Sequence, residues 1–178
     1  MKQSSLKRDA LLLGGYLAVL FGTTSFMPQL WFWAASRLGV WHRLLPEGIG
    51  VCLILLLLGT LLRQGLRHPF LQGTFLLCLI FLFFISMGQV RRPIEKIHFS
   101  EYGFLSLLLF RLIRHGVRSR GCYGWTLLGV CLIGFLDELL QGLLPNRVYD
   151  PRDIGMNGLA GAIGLVAVIL LFDPVFLR

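Results

Sequence analysis

Acidic residues are scarce in this chain, with 9 Asp and Glu against 17 Lys and Arg. The four cysteines, Cys52, Cys78, Cys122 and Cys131, lack the CxxC spacing of redox or zinc sites and fall in or at the ends of apolar runs, where they read as packing residues. No nucleotide-binding loop, nucleophile elbow or phosphatase motif is present, so no cofactor is implied. A metal site built from Glu95, His98 and Glu138 would lack a second histidine, and the reading is no metal. Charge is missing altogether from 51–62 and 75–87. Runs of that kind exclude a soluble domain, and a hydrophobic fraction of 56% with mean hydropathy +0.74 indicates a polytopic membrane protein, in which 178 residues make a single domain, 1–178.

The positive charges sit almost wholly between the apolar runs. That placement suits anionic lipid headgroups, so the net charge of +8 reads as topological, with membrane lipids as partners and no nucleic acid. The apolar periodicity predicts an all-α transmembrane bundle of about six spans, at 10–27, 48–62, 70–90, 97–114, 122–144 and 152–172. Lys2, Lys7 and Arg8 before the first run resemble a secretory signal, but no small-x-small cleavage site follows directly and the run reads as a retained first span. Pro28 is expected to end it. Trp31, Trp33 and Trp41, with Arg37, His42 and Arg43, then suggest an amphipathic connector lying in the headgroup layer. With the amino terminus inside, ten of the 17 basic residues are inside and seven outside, a bias that favours this orientation.

Six crossings place the start of span 4, the end of span 5 and the start of span 6 on one membrane face. Glu95, His98 and Tyr102 share a helix face in span 4, with Ser106 below. Asp137, Glu138 and Gln141 occupy the last turns of span 5. Span 6 opens on Asp150-Pro151-Arg152-Asp153, an acid able to cap, proline at the first helical position and an acid at the positive end of the dipole. On it Asp153, Asn157, Gly161 and Gly164 share a face, polar above and small beneath. Charges at membrane depth cost roughly 2.5–3.5 kcal/mol each on insertion scales, so a shared polar site must offset them.

Three uses of that site follow. The acids can pair with Lys96, Arg147 or Arg152 and lock spans 4–6 together, as a purely structural network. Alternatively, an outward pocket with Glu95, Lys96, Tyr102, Gln141, Arg147 and Asn157 as ligand-binding residues can hold an anionic or lipid-linked envelope molecule, the planar fork of Arg147 suiting phosphate or carboxylate. Thirdly, His98 and Glu138 have the logic of a base oriented by a carboxylate, with Asp153 as acid, in a membrane-embedded enzyme.

The ordered pattern Glu95-Lys96-x-His98-x3-Tyr102, Glu138-x2-Gln141 and Pro145-x-Arg147-x5-Asp153-x3-Asn157 resembles the VanZ-like family of bacterial membrane proteins over 94–170. Glu95 stands where that family commonly has Asp. The resemblance implies a multi-pass protein of the bacterial cytoplasmic membrane, and an association with teicoplanin-type glycopeptide resistance through the family's namesake.

Overall fold

The computed structural model describes residues 2–64, 69–89, 96–145 and 147–172, and every regular element among them is helical. In order these are α1 (Lys2–Thr24), α2 (Met27–Leu38), a 3-10 segment (Gly39–Leu44), α3 (Leu45–Gln64), α4 (Pro69–Gln89), α5 (Ile97–Ile113), α6 (Gly121–Leu143) and α7 (Pro151–Phe172). Glu95 and the turn at 65–68 lie outside the described residues.

Local chemistry sets several boundaries. Asp150 caps α7: its Oδ1 accepts the Arg152 N–H at 2.9 Å, its carbonyl accepts the Asp153 N–H at 3.0 Å, and Pro151 takes the first helical position, where no donor is needed. Pro28 does not end the first span. Instead α1 stops at Thr24, and Pro28 lies in the first turn of α2, which tolerates its missing N–H. The tryptophan-rich connector is helical throughout, and neither α2 nor the 3-10 segment buries a residue. Gly39 joins these two with φ 55, a left-handed backbone that glycine accepts without strain. Leu45, Pro46 and Glu47 extend α3 beyond the expected 48–62, so its 20 residues rise roughly 30 Å and need no flanking help to match a bilayer core.

Among the described residues, length and composition single out three stretches able to cross a membrane, Met27–Arg63, Gly121–Leu143 and Pro151–Leu170. The expectation was six. The 17 residues of α5 rise only about 26 Å, and Lys7, Arg8 and Asp9 leave α1 an apolar remainder of about 22 Å. Many large apolar side chains face outward, among them Leu77, Phe81, Trp125 and Leu132, as expected of a surface whose solvent is hydrocarbon.

Tertiary contacts fix the helix directions. Asp9 at the start of α1 meets Arg111 and His115 at the end of α5, whereas Thr24 at the other end of α1 meets Asp137 near the end of α6. Near the end of α4, Phe83 packs edge-on against Phe99 at the start of α5, with centroids 6.5 Å apart. Helices α1, α4 and α6 therefore run one way and α3, α5 and α7 the other. The centre is α5, which packs against α1, α3, α6 and α7. Its parallel contact with α7 brings backbones together: a Cβ on Gly164 would run into the main chain of Gly103, and one on Gly161 into Val130 of α6. Through that gap the Ser106 hydroxyl donates to the Gly161 carbonyl at 2.7 Å. Tyr102, Leu105 and Val130, all fully buried, fill the core between α5, α6 and α7.

Candidate functional site

Because α6 ends where α5 and α7 begin, their polar residues meet in one buried cluster. Asp137, only 1% exposed, is its hub. Tyr102 donates its hydroxyl to Asp137 Oδ2 at 3.0 Å, and Gln141 Nε2 donates to the same oxygen at 3.1 Å. The Thr24 hydroxyl lies 3.2 Å from Asp137 Oδ1, but also 3.0 Å from the Leu20 carbonyl, and its single proton serves one at a time. Glu138, fully buried, accepts from Gln141 Nε2 at 3.0 Å and from the Asp150 N–H at 3.2 Å. Gln141 thus spends both N–H donors on two carboxylates. Its oxygen accepts Arg147 Nη2 at 2.5 Å, so the guanidinium reaches the acids through an amide.

Among the described residues, three buried polar atoms around this network have no hydrogen-bond partner: both amide atoms of Asn157 and Arg147 Nε. His98 Nδ1 lies 3.1 Å from Glu101 Oε2, an ion-pair contact within its own helix. Asn157, 1% exposed, sits against Gly134, where an added Cβ would come 2.9 Å from Asn157 Cβ and 3.3 Å from Tyr102 Cε1. The glycine makes room for the amide, yet among the described residues nothing bonds it.

Of the residues singled out by sequence, Tyr102, Glu138, Gln141, Arg147 and Asn157 come together. Asp153, half-buried at the start of α7, lies within electrostatic range of Glu138, as do Asp137 and His98. Lys96 instead pairs with Glu47 of α3, outside the cluster. The carboxylate nearest His98 is Glu101, one helical turn on. Sequence reasoning had given no role to Asp137, Glu101 or Thr24. Glu101 follows His98 at i+3 and was legible as its partner; Thr24 lies in the first span, with no local signal of its contact.

Another buried acid occupies the opposite end of α5. Asp9, 6% exposed, accepts from Arg111 Nη2 at 2.8 Å and contacts His115 Nε2 at 3.0 Å, with Arg8 Nε at 3.9 Å. The His115 hydrogen bond is the largest influence on its carboxyl and, with Arg111 and Arg8, outweighs burial to hold it below the usual aspartate value. Among the described residues no three His, Cys, Asp or Glu side chains gather as metal ligands. Compared with known proteins, the chain matches no family model, no curated protein and no solved structure.

Proposed function

We propose that the chain is a VanZ-like protein of the bacterial cytoplasmic membrane with six crossings, α1 and α3–α7, and a cytoplasmic amino terminus. Its cluster at the α5–α6–α7 end faces outward and binds or senses an envelope amphiphile with an anionic headgroup. What supports this reading is the set of unpaired polar atoms. A buried amide or guanidinium N–H without a partner costs about 1–3 kcal/mol, and a fold that needed only a lock between helices would not leave Asn157 Nδ2 and Arg147 Nε, with the Asn157 oxygen beside them, unpaired around a network it otherwise satisfies. Arg147 offers its Nε edge to phosphate or carboxylate, while Asn157 supplies one donor and one acceptor deeper in. Glycopeptide resistance enters only as the activity associated with the family's namesake.

Thermal unfolding in detergent tests the reading, with phosphatidylglycerol, a polyprenyl phosphate and teicoplanin as probes. At a probe concentration of 100 Kd, binding should stabilise the protein by about 2.7 kcal/mol, and Arg147→Lys, which keeps the charge but loses the fork, should weaken the response. Absence of a shift with all three overturns the proposal. Orientation is tested separately: maleimide should label Val148→Cys but not Arg118→Cys in intact cells.

A further inference from the structure

A groove lies on the side of α5 and α7 away from α6. It encloses about 280 Å³ between α3, α4, α5 and α7, with walls such as Leu53, Phe83, Leu107 and Ala167. Along α3 it runs from Gly50 to Thr60, roughly 15 Å. An apolar space of this kind does not hold water, and leaving it empty forfeits the dispersion contacts of every wall atom.

The two ends differ. Thr60 bonds its own helix, donating to the Leu57 carbonyl at 2.7 Å or the Leu56 carbonyl at 3.0 Å, so that end asks for no partner. At the other end Ser100 lines the groove with its buried hydroxyl unpaired. Just beyond stand Glu47, three residues before Gly50 on α3, and Lys96, four residues before Ser100 at the entry to α5, spacings that put each on the groove's side of its helix. Lys96 pairs with one oxygen of Glu47, and the other, Oε2, is buried without a partner.

We infer that this groove is a lipid site, separate from the Asp137 cluster, holding one acyl chain of a glycerophospholipid whose headgroup carries a phosphate and a primary ammonium. The chain fills the apolar length. The phosphate meets Lys96, and the ammonium supplies the donor that Glu47 Oε2 lacks. A helix from a second copy would be a poorer match, since the groove is apolar along its length and wants charge at one end only.

Native mass spectrometry of the full chain tests this, after equilibration in detergent with equal amounts of phosphatidylethanolamine and phosphatidylcholine, neither of which carries the net negative charge proposed for the ligand of the Asp137 cluster. Wild type should retain one lipid per chain and favour phosphatidylethanolamine at least five-fold over phosphatidylcholine, because a quaternary amine cannot donate. Ala167→Phe within the groove and Leu53→Trp on its rim should each cut retention about ten-fold. Leu53→Trp keeps the test decisive if Ala167→Phe does not fold. Leu132→Trp, on the outer face of α6, should leave retention unchanged. A lipid-free wild type, a lipid-free dimer, undiminished retention in Leu53→Trp, or equal retention of the two headgroups would each overturn the inference.

Discussion

Asp9 and Asp137 are both buried aspartates, held at opposite ends of the same central helix, and their partners differ in kind. Asp9 is met by Arg111 and His115, with Arg8 near, from two helices that need joining. Asp137 receives only uncharged donors, Tyr102, Gln141 and Thr24, while the nearest guanidinium is held one amide away and keeps its Nε unpaired. Charge matched locally is the chemistry of a clasp between α1 and α5. Donors and acceptors left over beside a neutral shell are the chemistry of a place prepared for something else. The contrast explains why one end can be structural and the other can bind.

Substitutions should separate the two ends. The largest effect is expected where both depend on one contact: Gly164→Ala forces a Cβ into the Gly103 backbone, which cannot move aside as a flexible side chain would, and should cost about 3 kcal/mol or more in thermal unfolding. Asp9→Ala comes next, at about 2 kcal/mol, below the 3–5 kcal/mol of a fully buried pair because Arg111 and His115 are partly exposed and water screens them. The pH dependence follows from the lowered pKa. Unfolded Asp9 titrates near its ordinary value of 3.8 and the folded carboxyl below it, so the unfolded state binds the proton first as pH falls. The stabilisation is therefore complete above that value and lost on acidification through the folded pKa, and Asp9→Ala should melt with a shallower acid dependence below about pH 4 than wild type.

Tyr102→Phe should cost less, about 1 kcal/mol, since Gln141 still donates to the same Asp137 oxygen. Asn157→Leu is expected to have the smallest effect on stability, leaving it unchanged or slightly raised. It removes two polar atoms that bond nothing in the protein and replaces them with an apolar group of similar volume, a change that is nearly neutral when no partner is stranded.

Much of the cluster was legible in the sequence because parity of crossings and helical spacing operate without atomic detail. Those two rules brought Tyr102, Glu138, Gln141, Arg147 and Asn157 to one end, and the small-residue face beneath Asn157 does pack tightly, at Gly161 and Gly164. The capping of α7 by Asp150 was equally readable, since the cap is local. What could not be read was pairing between distant elements. Asp9 adjoins Lys7 and Arg8 at the amino terminus, yet its partners Arg111 and His115 lie 102 and 106 positions away. Asp137 and Glu138 are adjacent, about 100° apart around α6, and sequence alone gives no basis for choosing which becomes the hub. Lys96 and Glu47 pair across 49 positions, and nothing local to either residue signals the contact.

Thermal unfolding of Asn157→Leu beside wild type, each with and without the anionic amphiphile that stabilises wild type, tests most directly whether the unpaired end of α5 is a binding site. A variant that unfolds at or above the wild-type temperature but no longer responds to the amphiphile is the expected result. A variant that unfolds several degrees lower while its response stays intact would mean that the amide serves the fold, and would contradict the division between the two ends.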